Sequence, residues 1–345
     1  MKLLMNKKLF LSLPSLTALL VCALAANLFF GAYAMSAGEV AASIIGQGSE
    51  QGQYLILNIR LPRILLAAFT GAGLAVCGAA IQGLFRNPLA DQTLIGVTSG
   101  AMLFAVLSIV FMGSILAGFT ELFRQASVAI FAFIGGLGTT YLVYFLSRRK
   151  GRTQVTTMLL AGIAISAFAA AITGVFIYLS DDQQLRDITF WSLGSFGGAS
   201  WMQLIIVAPI VSIGLLLLYS YARSLNAILL GEAEAAYLGI PVEKVKTNII
   251  LLTALIIGVC IAMSGMIGFV GLVIPHFLRL LKGSDYRYLL KGSALVGAVF
   301  LVLADTLART IVAPAELPIG ILTALVGAPF FLWLLLRSQQ TKFAL

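Results

Sequence analysis

The chain has 345 residues, of which 60% are hydrophobic and only 10% charged, with a formal net charge of +9. Soluble domains carry about 25% charged residues, so this composition excludes one and points to an integral membrane protein. The Lys and Arg residues stand at the ends of apolar stretches, without interleaved aromatics, and this excludes nucleic acid as a partner.

Crossing a hydrocarbon core takes about 20 apolar residues as a helix. About ten stretches meet that length, and the short alternating segments of a membrane β-barrel are absent. They lie at about 9–33, 61–85, 93–115, 126–147, 155–179, 202–222, 246–263, 265–281, 289–309 and 317–336. Lys2, Lys7 and Lys8 precede the first stretch, and Ala32-Tyr33-Ala34 near its end resembles a signal-peptidase site. A signal peptide's apolar region spans only about 7–15 residues, so the first stretch is read as a retained helix.

The second stretch opens on Arg60-Leu61-Pro62-Arg63, with proline where helices tolerate it. The two arginines either meet acidic groups of an external partner, line an outer vestibule, or pair with Glu39, Glu50 or lipid phosphate. Gly71, Gly73, Gly78 and Gly83 run along this helix with Gln82, a composition suited to close helix contact, so the helix is expected to be surrounded by protein. Phe85 to Asp91 follows as a turn marked by Asn87-Pro88. It serves either as turn chemistry, with Asp91 capping the third span, or as the lip of a pathway mouth.

Ser180 to Trp201 forms a loop with Asp181, Asp182, Arg186 and Asp187. Those acids faintly resemble diphosphate–Mg²⁺ motifs, but only one such cluster exists. Arg223 to Lys246 is a second loop, whose Ala- and Glu-rich middle, Glu232 to Leu238, is expected to be a short helix stopped by Gly239 and Pro241. His276, the single histidine, follows Pro275; a structural hydrogen-bonding role is preferred to a ligand role. Asp305 and Arg309 stand four apart, so either the two pair along one helix or Arg309 faces an outer vestibule. Cys22, Cys77 and Cys260 lie inside apolar stretches and read as small buried residues. No G-x-x-x-x-G-K-[ST] occurs, so ATP hydrolysis does not belong to this chain.

Assigning alternate connections to opposite sides puts all but five of the 22 Lys and Arg residues on one side. The five are Arg60, Arg63, Arg124, Arg186 and Arg309. Basic residues near spans stay cytoplasmic, so both termini are expected inside.

Several segments, in order, are similar to one family. Leu61-Pro62-Arg63, Gln82 to Asp91, Gly231-Glu232 with Leu238-Gly239, Gly268 to Leu272 with Pro275-His276 and Arg279, and Glu316 to Gly320 with Gly327-Ala328-Pro329 resemble the FecCD-type permeases. These are the membrane subunits of type II ABC importers for ferric siderophores, haem and cobalamin. The resemblance implies an all-α integral membrane fold of about ten helices, with an inverted repeat of helices 2–5 and 7–10. It implies a single transmembrane permease domain over 1–345, in the bacterial inner membrane, that is not itself an enzyme. The implied partners are a second copy of the chain, two cytoplasmic ATPase subunits, a periplasmic substrate-binding protein and membrane lipid. ATP and Mg then belong to the ATPase, and this chain holds no cofactor or metal.

By the same resemblance Arg60, Arg63 and Arg309 dock the binding protein. Asn87, Leu89, Thr156 and Thr157 form the cytoplasmic gate. Gly231, Glu232, Ala233, Glu234, Ala235, Ala236, Tyr237, Leu238 and Gly239 couple to the ATPase. The segments Arg309 to Glu316 and Phe190 to Ser195 look most like haem permeases, then ferric siderophore permeases, then cobalamin permeases. Two readings of other classes stand beside this one: an ion-coupled secondary transporter, and a membrane enzyme built on Asp181, Asp182 and Asp187.

Overall fold

The computed structural model describes residues 12–31, 33, 35–112, 121–149 and 151–342. Lys2, Lys7, Lys8, Ala32, Ala34 and Lys150, and the side chains of Arg124, Arg337 and Lys342, lie outside the described residues. The described helices are α1 (Leu13–Phe29), α2 (Ala37–Ile44), α3 (Glu50–Leu84), α4 (Val97–Leu107), α5 (Glu121–Ser147), α6 (Val155–Tyr178) and α7 (Asp182–Leu193). They continue as α8 (Trp201–Ser220), α9 (Ala222–Leu230), α10 (Glu232–Tyr237), α11 (Val242–Ser264), α12 (Val270–Lys282), α13 (Tyr286–Ala308) and α14 (Ile319–Lys342). A two-stranded antiparallel ribbon, β1 (Arg148–Arg149) and β2 (Arg152–Thr153), joins α5 to α6.

The ten expected spans correspond to α1, α3–α6, α8 and α11–α14. Among the described residues, six of these are long and apolar enough to cross a membrane, the apolar segments Leu13–Phe29, Val97–Phe111 and Ile319–Leu334 of α1, α4 and α14 are shorter, and α12 has 13 residues. The protein is therefore a multi-pass membrane protein.

Boundaries differ from expectation where backbone chemistry intervenes. α3 begins at Glu50, well before Pro62, because the chain passes Pro62 through a π-helical turn, Leu55–Arg60. There the Leu61 N–H bonds the Ile56 carbonyl, and the widened turn makes room for a proline ring that clashes within a regular helix. The third span is not one helix: a 3₁₀ turn, Gln92–Ile95, ends at Gly96 with φ 80° before α4 starts. Asp91 accordingly does not cap the span; it accepts the Thr93 hydroxyl at 3.2 Å. The eighth span becomes helical only at Val270, after Phe269 with φ 66°. Ser180 to Trp201, expected as a loop, contains the whole of α7, opened by a reciprocal Asp181–Gln184 capping box.

α3 is the centre of the bundle, with 89% of its apolar window buried, against 17% for α6. Glycines let its backbone touch its neighbours. A Cβ at Gly71 would lie 2.2 Å from the Gly297 carbonyl oxygen, and one at Gly78 would lie 2.0 Å from that of Gly271. The expectation that this helix is enclosed by protein is met.

The sets α3–α6 and α11–α14 are built reciprocally. α3 packs on α12 and α13, the second and third helices of the other set, and α11 packs on α4 and α5 in return. In both sets the second helix starts directly after a left-handed residue, Gly96 or Phe269. This is the expected inverted repeat. Cys77 and Cys260 are buried as expected; Cys22 is exposed on α1, since that helix presents an outward apolar face.

Candidate functional site

Ends assigned to the cytoplasmic side by charge gather around one crevice of about 1100 Å³. Asn87, Thr156, Arg86, Arg149, Arg152 and Glu232 are among its walls. The turn beneath α3 is shaped by Arg86 in a left-handed conformation, φ 49°. The Asn87 Oδ1 accepts the Leu89 N–H at 2.9 Å, and the Asn87 carbonyl accepts the Ala90 N–H at 3.1 Å. The side chain thus holds its own loop, as asparagine does in turns. Of the four expected gate residues, the structure brings Asn87 and Thr156 to this crevice. Leu89 is half-buried in the turn, and Thr157 is half-buried with its hydroxyl donating to the side-chain Oε1 of Gln154 at 3.0 Å.

α10 closes the same end. Gly231 enters it at φ 143° and Gly239 leaves it at φ 80°. The Gly239 N–H bonds the Ala236 carbonyl and the Ile240 N–H bonds the Ala235 carbonyl, the paired bonds of a glycine-terminated helix. The helix is the short one expected. It rests on buried Ala235 and leaves Tyr237 and Leu238 exposed by 92% and 66%. Two large apolar side chains at a loop tip suit a partner surface. Its first residue, Glu232, is held from below by Lys246 at 2.6 Å. Lys246 was counted above only as an inside charge; the acid three residues earlier, Glu243, was the signal of a larger role.

At the opposite end Arg60, Arg63 and Arg309 come together, but buried. Only 2%, 7% and 6% of each is exposed, where a surface docking role leads one to expect free cations. Arg63 donates to both carboxylate oxygens of Asp305, at 2.9–3.1 Å, and to both of Glu316, at 2.7 and 2.9 Å. Arg60 donates to the Leu28 and Tyr33 carbonyls. Arg309 donates to the Asn27 carbonyl at 2.8 Å and stands 3.7 Å from Asp305. A guanidinium among apolar helix ends must be paired, and the fold supplies partners from α1 and the segment after it, from α13 and from the loop before α14.

Two sequence readings are decided by these partners. Asp305 does pair with Arg309 along α13, at 3.7 Å, but its closer partner is Arg63, 242 residues away in sequence. Glu39 and Glu50 are not the acids used: Glu39 completes a capping box with Ser36, and Glu50 opens α3. Glu316 is the accessible member of the cluster, its side chain 42% exposed.

His276 is buried in α12, edge-on to Phe330 at 6.3 Å between ring centroids. Its hydrogen-bonding contact is with the Pro88 backbone in the turn after α3, too loose to satisfy either ring nitrogen fully, so the expected hydrogen-bonding role is met only weakly. Asp181 and Asp187 are spent on Gln184 and Gln183 within α7. Among the described residues no three or more His, Cys, Asp or Glu side chains gather to hold a metal.

The FecCD transport family model matches residues 19–337. Over 289 residues the chain is 48% identical to the hemin transport system permease protein HmuU of Yersinia pestis, covering 84% of this chain and 85% of that protein. It is 40% identical over 293 residues to the cobalamin import system permease protein BtuC of Halobacterium salinarum, covering 85% and 76%. A solved inward-facing structure, provisionally assigned as a metal-chelate type ABC transporter, superposes with a TM-score of 0.83 at 35% identity over 94% of this chain and 98% of that one. With the ordered motifs, the reciprocal helix sets and a match that runs from α1 into α14, this chain belongs to the FecCD transport family.

Proposed function

We propose that the chain is the permease subunit of an ATP-driven importer that carries haem across the bacterial inner membrane. The observation that carries the cargo is the 48% identity to a hemin permease over 84% of the chain. In this reading residues 1–345 act as one permease domain, paired with a second copy. Two ATPase subunits on the cytoplasmic side supply all the ATP and Mg chemistry, and a binding protein delivers cargo outside.

Each set of residues has a physical task. Residues 231–239 seat in the ATPase through Tyr237 and Leu238, whose exposure supports that role. Asn87, Leu89, Thr156 and Thr157 open and close the inner mouth. The Arg60, Arg63 and Arg309 cluster receives acids of the binding protein. Because Arg63 already holds Glu316, an incoming carboxylate exchanges with Glu316 and does not meet a bare cation. Nucleotide binding moves the gate only insofar as the ATPase contacts differ between its two states.

The test is uptake of labelled haem, ferric hydroxamate and cobalamin in cells lacking their own systems, with and without the cognate ATPase. ATPase-dependent haem uptake is expected. Uptake of one of the other two chelates transfers the assignment to it. Uptake driven by an ion gradient without any ATPase overturns the importer and favours a secondary transporter.

A further inference from the structure

Lys246 is the most deeply buried ammonium among the described residues, 1% exposed near the start of α11. An ion there costs several kcal/mol unless paired and hydrogen-bonded. All three of its donors are used: Glu232 Oε2 at 2.6 Å, the Thr153 carbonyl at 3.2 Å and Glu243 Oε1 at 3.3 Å. Glu243 also accepts the Thr153 N–H, at 2.7 Å. Thr153 is therefore clamped through both its backbone groups, and the clamp closes into a ring of Lys246, Glu243 and Thr153.

The three attachments belong to three elements with different tasks. Glu232 is the first residue of α10. Glu243 and Lys246 lie in the first turns of α11. Thr153 ends the ribbon two residues before α6, the helix whose first turn carries Thr156 and Thr157. Glu232 and Glu243 both line the inner crevice with Asn87 and Thr156. A displacement of α10 that leaves Lys246 behind takes away its shortest ion pair, at 2.6 Å, and leaves the buried ammonium with only Glu243 at 3.3 Å as counter-charge; one that keeps the bond draws α11 and the base of α6 with it.

We infer that Lys246 is a positioning residue that transmits movement of α10 to the base of the gate helix α6; this rests on the importer function proposed above. Lys246 touches neither cargo nor nucleotide. Its work is to make the ATPase-facing helix and the gate helix move as one body.

The test uses the full assembly of permease, ATPase and binding protein in proteoliposomes. Haem is the probe, with ferric hydroxamate and cobalamin run in parallel, and the readout is chelate imported per ATP hydrolysed. Lys246→Met is expected to lower that ratio about fivefold or more, the usual scale of coupling between sites. Glu232→Gln, at a half-exposed position that tolerates the change, lowers it in the same direction by less. The double variant is no worse than Lys246→Met alone, because both cut one link.

Wild-type ratios in both single variants overturn the inference. So does a Lys246→Met protein that fails to assemble while Glu232→Gln keeps the full ratio, since the lysine then serves folding only. If the wild-type assembly imports none of the three chelates with ATP, the importer reading falls and this inference with it. Wild-type import with unaffected variants removes the inference alone.

Discussion

Replacing Gly78 by alanine tests the central claim of the architecture, that α3 and α12 meet backbone to backbone. The added Cβ would lie 2.0 Å from the Gly271 carbonyl oxygen and 2.4 Å from its carbonyl carbon and Cα, where ordinary contact begins near 3.4 Å. Subtracting 2.0 from 3.4 Å, the helices must part by about 1.4 Å, because backbone atoms cannot rotate aside as a side chain would. Overpacking of this kind costs roughly 1–3 kcal/mol. Parting the helices also stretches the Gln82 amide bonds to the Gly271 and Leu272 carbonyls, at 3.4 and 3.3 Å, a further loss of about 1 kcal/mol. Alanine returns about 1 kcal/mol through its better helix propensity.

The expected net is a destabilisation of about 2 kcal/mol, which lowers the melting temperature of the purified protein in detergent by several degrees. Gly174→Ala, in α6, is the internal control. A Cβ there meets nothing within 4 Å, so the propensity gain stands alone and the melting temperature holds or rises slightly. Scanning fluorimetry on the three proteins decides the matter. A Gly78→Ala protein that melts with Gly174→Ala refutes the close crossing.

Two further outcomes follow from the charged groups. Arg63→Ala leaves Asp305, 1% exposed, without its main partner and is expected to cost about 3–5 kcal/mol; Arg63→Ala/Asp305→Ala should recover part of that in the same melt. Asp285 caps α13 and accepts from Asn226 at 2.7 Å and from the Arg287 N–H at 3.0 Å. The Asn226 hydrogen bond, then the Arg287 N–H, holds its carboxyl below the usual value. Its stabilisation is therefore complete above the ordinary aspartate range and is lost as pH falls through the lowered folded value. Asp285→Ala is expected to cost about 1 kcal/mol near neutrality and nothing more at strongly acidic pH, read as the convergence of the two melting curves on acidification.

Much of the fold was legible because membrane spans announce themselves by apolar length. α6 and α8 fall within a residue or two of expectation, and the glycines of α3 pointed to its enclosure. The misses share one cause: length and hydropathy do not register a bend made by a single residue. Gly96 and Phe269 lie inside the stretches read as spans, yet each turns the chain into the left-handed region and delays the helix behind it. α7 was hidden for the opposite reason, being too polar to read as a span and too short to stand out as a surface helix.

At the sites, α10 was visible in its Ala- and Glu-rich sequence and in the Gly239 and Pro241 that stop it. The Arg63–Asp305–Glu316 cluster was not, since its members lie 242 and 253 positions apart and only the fold brings them together. Lys246 was passed over because a lysine at a span end is ordinarily a solvated anchor, and nothing local announces that a second acid arrives from Glu232.

The enclosure of α3 also bears on how the molecule is made. Its walls are α8, α11, α12 and α13, all translated after it. The segment that will become the most sheltered is the second span to leave the ribosome, before any of these four walls exists. Until they arrive its glycines and Gln82 face lipid or the insertion machinery, and the rod can settle only when α13 has been threaded. Biogenesis of this protein thus ends at its middle, and lesions along α3 should surface first as chains arrested late in assembly and cleared by membrane proteases.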